Sequence, residues 1–219
     1  MDWSWDFVTE IVPALIQGLI VTVEITLVSS VVAMVIGLLF AVAKMSPVNS
    51  LRRTAVIVTE GIRRTPLLVQ LYFLFYVLPD LGVLLSPFAA GVIGLGLHYG
   101  TYLSEVYRAG IINVPVGQWE AARACNLTSR QTWTEIVLPQ AIPPMIPPLG
   151  NYVIAMFKET PILSAITVMD LMGEALAQAN FNYRYLEPIT LVAAGFLIVS
   201  LCSAAIIKLL ENYLNLRAS

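Results

Sequence analysis

The sequence predicts an all-α integral membrane domain of about five transmembrane helices, with its N-terminus outside and its C-terminus cytoplasmic. Three observations predict it. First, the 219 residues are 58% hydrophobic and only 12% charged, where soluble domains run near half apolar and a quarter charged; lipid must cover part of such a chain. Second, apolar runs recur near the length of about 20 residues that a helix needs to cross a hydrocarbon core. Third, Lys and Arg collect in alternate intervals between those runs, which assigns each interval a side. The formal net charge of −2 argues against a nucleic-acid partner.

The N-terminal segment carries Asp2, Asp6 and Glu10 and no basic residue. It therefore lacks the basic start of a signal peptide, and Trp3 and Trp5 suit an outer interface. The first span lies within Val12–Ala43, broken by Gln17 and Glu24. The second covers about Pro66–Leu78, with the amphipathic stretch Thr54–Ile62 expected to extend its helix. The third covers Pro87–Tyr107 and contains Gly91, Gly94 and Gly96, read as helix-packing positions. The fourth begins near Ile142 and is interrupted at Lys158-Glu159-Thr160-Pro161. The last covers Pro188–Ile207. On the outer side, Met169–Ala179 is expected as a short helix. The inner intervals then hold Lys44, Arg52, Arg53, Arg63, Arg64, Arg108, Arg123, Arg130, Lys208 and Arg217, against Arg184 outside. Residues 1–219 read as a single membrane domain, with a cytoplasmic loop at about 110–140.

Several classes of chemistry are disfavoured. Cys125 and Cys202 lie far apart with no CxxC, and His98 is the only histidine, so neither a disulfide framework nor a metal-ligand cluster is indicated. No G-x-x-x-x-G-K-[ST] motif cradles a phosphate. The sequence offers no catalytic residue, no enzyme activity and no cofactor site of its own.

The cytoplasmic loop is the most informative segment. Val116 to Cys125 is rich in helix formers with small side chains. Asn126 stands where that helix would stop, in a residue type that accepts the left-handed conformation. Thr128-Ser129-Arg130-Gln131 has the form of a capping box opening a second helix, expected to end before Pro139. The result is a helix, a sharp turn and a helix with an alanine-lined edge.

The pattern E-A-A, three residues, Gly, nine residues, I-x-L-P resembles the signature loop of ATP-binding-cassette (ABC) importer permeases. This chain matches it at Glu120, Ala121, Ala122, Ile136, Leu138 and Pro139, with Asn126 in the glycine's place; both residue types tolerate positive φ. Arg64 to Gln70, Glu105 to Arg108, Gly117-Gln118, Leu138 to Ala141 and Asn151 resemble the polar amino-acid uptake branch, of histidine, glutamine and arginine type. The resemblance implies a permease subunit in a bacterial plasma (inner) membrane. It implies that Gly117, Glu120, Ala121, Ala122, Asn126, Ile136, Leu138 and Pro139 form a coupling element docking on an ATPase. The implied partners are two ATPase subunits carrying ATP and Mg, an extracytoplasmic solute-binding protein, a second permease copy or paralogue, and membrane lipid. Cys125 to Thr128, Gln131 to Trp133 and Ala141 to Met145 further resemble permeases for ectoine and hydroxyectoine. The alternative, a self-contained secondary transporter or channel driven by an ion gradient, leaves the coupling loop unexplained.

Ionisable groups inside spans cost about 2.5–3.5 kcal/mol each at the helix centre on insertion scales, so each asks for a reason. Lys158, Glu159 and Thr160 precede Pro161, whose ring clashes with the Phe157 carbonyl, and a broken helix is a common site for solute. The family resemblance gives the acidic position to a substrate's cationic end. The structural alternative is a Lys158–Glu159 pair. His98, with Tyr99 or Tyr102 able to face a cation, is either on the solute path or hydrogen-bonded between helices. Glu24 reads as a buried structural partner or a group snorkelling to the outer interface, and Glu105 with Arg108, one turn apart, as an ion pair near the inner surface.

Overall fold

The computed structural model describes residues 3–218, with side chains described through residue 209. Asp2 lies outside the described residues and the Arg217 side chain outside the described side chains. Every regular element among the described residues is helical.

Helix α1, Trp5–Lys44, is the spine. Its buried positions, including Ile11, Leu15, Gly18, Thr22, Ile25, Ser29, Ala33, Gly37, Ala41 and Lys44, follow one stripe at helical spacing. Three buried hydroxyls of this helix satisfy themselves on the preceding turn, Thr22, Thr26 and Ser30 donating to the carbonyls of Gly18, Thr22 and Thr26, while the buried Ser29 hydroxyl has no partner among the described residues. Such back-bonding lets a polar side chain enter an apolar interface without an orphaned donor. Helix α4, Pro87–Ile112, lies along this stripe, and glycines set the approach. A Cβ on Gly96 would stand 2.5 Å from Val32 Cγ1, and one on Gly100 would stand 2.9 Å from Ile36 Cγ2. The packing role expected for Gly91, Gly94 and Gly96 holds, since added Cβ atoms there meet Ile25, Leu71 and Val32.

Helix α2 spans Asn49–Arg63. It does not extend the second span as expected. Arg64 caps it, Thr65 and Pro66 break the chain, and α3 begins afresh at Leu67. A residue before proline is pushed out of the α region, and Gln70 fixes the break by donating to the carbonyls of Ile62 at 2.7 Å and Thr65 at 3.1 Å. Helix α3, Leu67–Tyr72, continues through a π turn, Phe73–Val77, and a 3-10 turn, Leu78–Leu81.

After α4 comes α5, Val116–Ala124, then the single turn α6, Ser129–Gln131. Here a second expectation fails: the helix opened at Ser129 does not end before Pro139 but runs on into the segment expected as the fourth span. It widens into a π turn, Thr132–Val137, and runs on as α7, Leu138–Glu159. The wider turn re-registers the backbone, so Pro139 falls in the first turn of the next α segment, where a missing N–H costs little. The α geometry stops at Glu159, and a 3-10 segment, Thr160–Ile166, carries the chain on to Thr167 at φ +63°. Helix α8, Leu171–Asn182, realises the short helix expected over Met169–Ala179, and α9, Leu186–Ala218, closes the chain. By length and composition α1 and Leu186–Leu209 qualify as membrane spans, and Ser129–Ile166 with Leu171–Asn182, bent by 45°, pass the same test only when taken together as one broken span.

The main core gathers Ile25, Leu71, Leu95, Leu103, Met156, Leu163 and Ile166 from α1, α3, α4, the end of α7 and the 3-10 segment after it. It holds the α2–α3 break and the Glu159–Pro161 break against the same stretch of α4.

Candidate functional site

Two discontinuities face each other across α4. Between them lies a cavity of 740 Å³ whose polar walls are Arg63, Arg64, His98, Tyr102, Lys158 and Glu159, with Pro66, Leu67 and Ile162 supplying apolar wall. Four of the five side chains the sequence places on a solute path are thus brought together.

His98 proves to be both things the sequence allowed. It lines the cavity, and its Nδ1 lies 3.3 Å from Gln70 Oε1. Because the Gln70 amide nitrogen is spent on the α2–α3 break, its oxygen is left to accept, which makes Nδ1 the donor. Tyr102 lies 5.3 Å from the His98 ring and carries the Arg63 guanidinium 5.9 Å from its own centroid. Tyr99 and Tyr152 back this cluster, and the Glu159 carboxylate interacts with the Tyr99 hydroxyl.

Lys158 and Glu159 are exposed and do not pair with each other. Among the described residues Lys158 makes no hydrogen bond or ion pair, so the structural-pair alternative fails. Thr160 is the exception on the other side. It is fully buried and its hydroxyl donates to the Phe157 carbonyl at 2.9 Å, the acceptor that Pro161 cannot serve. Thr160 caps the break and does not line the cavity.

Arg63, Arg64 and Gln70 were missed as site residues. Their signal was an Arg-Arg-Thr-Pro run, in which the proline breaks the helix just after two cations. Below the cavity Arg63 joins an ion network: it pairs with Glu60 and lies 3.6 Å from Glu105, which also binds Lys44 at 2.8 Å and Arg108 at 2.7 Å. The Glu105–Arg108 pair is present as expected. Glu24 sits exposed on α1, away from the cavity.

The hairpin of α5 and α6 is built from local bonds. Asn126 takes φ +54°, Leu127 N–H donates to the Ala122 carbonyl and Asn126 N–H to that of Arg123, each at 3.0 Å. These are the two bonds of a Schellman stop. Both halves of the Thr128–Gln131 capping box are present. Trp119 packs edge-on against Trp133 at 5.3 Å, tying the two arms. Gly117, Glu120, Ala121, Asn126 and Pro139 are exposed, and Ile136 and Leu138 are half-buried. Ala122, at 3% exposure, faces inward, so the presented edge runs through Ala121 and Ala124 instead.

Comparison with known proteins decides the family. Residues 33–216 match the model for the binding-protein-dependent transport system inner membrane component. The chain belongs to that family.

The permease is 37% identical over 216 residues to a probable amino-acid ABC transporter permease of Sinorhizobium fredii, covering 95% of this chain and 94% of that one. It is 41% identical over 172 residues to the L-cystine transport system permease TcyB of Bacillus subtilis, covering 78% and 74%. A crystal structure of an amino acid ABC transporter with histidines superposes at TM-score 0.91 and 35% identity, over 97% of this chain and 100% of that one. The chain is therefore the inner-membrane permease subunit of an ATP-driven importer, itself not an enzyme, with ATP hydrolysed on a separate subunit. It works with an ATPase and a substrate-binding protein. The self-contained secondary transporter falls with that membership.

Proposed function

We propose that this permease imports a carboxylate-bearing zwitterion, of the polar amino-acid class, through the cavity at the α2–α3 break. The single observation carrying the reading is the charge on its walls. Lys158 and Glu159 line the cavity without an ion-pair partner among the described residues, and Arg63 and Arg64, both paired with Glu60, add two further cations, with a tyrosine ring beside them. The cations suit a substrate carboxylate, and Glu159 with Tyr102 suits its ammonium. The relatives named for amino acids support this class. Ectoine and hydroxyectoine, zwitterions of similar size, belong in the test panel.

Five crossings with the N-terminus outside remain the proposed topology, which puts the α5–α6 hairpin on the cytoplasmic side. There Gly117, Glu120, Ala121, Asn126, Ile136, Leu138 and Pro139 dock on the ATPase, while Ala122 keeps the hairpin in shape. The assembly is completed by a second permease, identical or related, and by two ATPase subunits that hold ATP and Mg; this chain carries no cofactor.

The test is uptake into proteoliposomes holding the permease, its ATPase and its binding protein, with a panel of neutral, basic and acidic amino acids and the two ectoines. ATP-dependent uptake of a carboxylate-bearing zwitterion, slowed by Glu159→Gln, is the expected result. Uptake confined to solutes without a carboxylate, or indifferent to Glu159→Gln, overturns the cargo reading.

A further inference from the structure

At the end of α1 that carries Lys44, a second hollow of 480 Å³ opens between α1, α2 and α4. It shares no lining residue with the transport cavity. Its charged walls are Lys44, Arg52, Arg53 and Arg108 against a single carboxylate, Glu105. That carboxylate is already spent, with Oε1 on Lys44 and Oε2 on Arg108 Nε. Arg52 reaches only the side-chain amide of Asn49. Arg53 makes no hydrogen bond or ion pair among the described residues. Arg108 keeps its terminal N–H groups uncommitted to Glu105. Three guanidiniums therefore converge on one opening with more N–H donors than the acceptors Asn49 and Glu105 can meet.

The remaining wall is apolar. Val56 and Ile57 of α2 line the same hollow, and Ile57 is 71% exposed. The last three turns of α1 expose Leu38, Leu39 and Val42 just before Lys44. Unmet guanidiniums beside exposed aliphatic side chains, at the end of a membrane-spanning helix, match the boundary between lipid headgroups and acyl chains. An acidic protein surface would meet the charge and leave the aliphatic wall wet. A phospholipid meets both.

We infer that this hollow binds the phosphate of an anionic phospholipid in the leaflet where α1 ends, with the acyl chains lying against α1 and α2. Phosphate oxygens accept from Arg52, Arg53 and Arg108 in charge-assisted hydrogen bonds, and Lys44 with Glu105 forms the floor. The inference rests on the family's membrane location and not on the cargo.

The experiment takes the assembled importer from bilayers of equal phosphatidylglycerol and phosphatidylcholine and identifies the retained lipid by native mass spectrometry. The wild type is expected to retain phosphatidylglycerol with about tenfold preference, and Arg52→Gln/Arg53→Gln to bring the two lipids near parity. Both arginines are exposed, so the double variant is expected to fold, which its melting temperature checks. Arg130→Gln, at an exposed position in the hairpin, should keep the preference and so exclude a general charge effect. Equal retention by the wild type, or a preference unchanged in the double variant, overturns the inference. So does displacement of the lipid by excess inorganic phosphate, which would assign the hollow to a soluble phosphate ligand, or loss of the ATPase in place of lipid, which would assign it to a protein contact. Uptake by the double variant is read separately, so lipid loss with transport intact leaves the proposed function standing.

Discussion

The hairpin closes on itself: its stop, its cap and its tryptophan pair all lie within residues 116–137. The cavity is assembled from α2, α4 and the end of α7, and Lys158 and Arg64 reach into it only because two breaks are held against a third element. In the hairpin the stop and the cap are fully bonded; in the cavity Arg63 and Arg64 lean on Glu60, while Lys158 and Glu159 have no ion-pair partner among the described residues. The difference fits the two roles proposed for these regions. A docking element must transmit displacement, which asks for stiffness. A solute path must trade partners with its cargo, which asks for charges that the fold has not satisfied.

Bulk placed on either side of the hairpin gives the largest expected effect. Ala121→Trp alters an exposed position, so the chain should remain folded in the membrane while ATP-driven uptake falls more than tenfold and the ATPase is lost on purification. Ala122→Trp alters a position with 3% exposure. Overpacking there typically costs about 1–3 kcal/mol, so this variant should lower the melting temperature as well as uptake. Melting curves of both variants beside co-purification of the ATPase check the pair. Equal melting temperatures would erase the distinction between presented edge and inward face.

Glu159→Gln comes next. Because Glu159 is exposed and pairs with no cation among the described residues, the variant should keep its melting temperature. Initial uptake rates against solute concentration should show a loss of about tenfold in kcat/KM for a substrate with a full ammonium charge, with the ATPase still bound. An unchanged profile would make Glu159 a bystander and leave the cations alone to define the path.

Gln70→Ala tests how the cavity is held open. Gln70 closes the break after α2 and orients His98. Its loss leaves backbone carbonyls without their donor, at a cost of about 1–3 kcal/mol if they stay buried, and frees the ring. A lower melting temperature with a raised KM for uptake is expected. A shift in neither would mean that Thr65 and Pro66 hold the break unaided.

Legibility in the sequence followed the range of the interactions. The hairpin was readable because Asn126 and the Thr128–Gln131 box act through partners a few residues away. Half of the cavity was readable because Lys158, Glu159 and His98 are polar inside apolar runs and so demand a reason. Arg63 and Arg64 were not readable as cavity walls, since that depends on α3 restarting at Leu67 and on α4 packing alongside. Thr160 was misassigned because its hydroxyl was free to choose between solute and backbone, and Pro161 decided that choice. Pro139 misled because a π turn, with no sequence signal of its own, moved it into the first turn of a new segment.

The smallest expected effect falls on Asn126, and it separates the hairpin's geometry from its chemistry. Asn126 holds φ +54° at a Schellman stop, where any residue with a Cβ is strained and glycine is not. Its side chain makes no hydrogen bond among the described residues. Asn126→Gly should therefore keep or slightly raise stability, by at most about 1 kcal/mol, and leave uptake near wild type. Asn126→Val places a β-branched residue in the left-handed region, where the penalty is greatest, and should destabilise by about 1–2 kcal/mol. Thermal melting of the two variants, with uptake measured beside it, gives the answer. If Asn126→Gly abolished uptake at unchanged stability, the amide would be a contact to the ATPase in its own right, and the hairpin would no longer be the region where shape alone suffices.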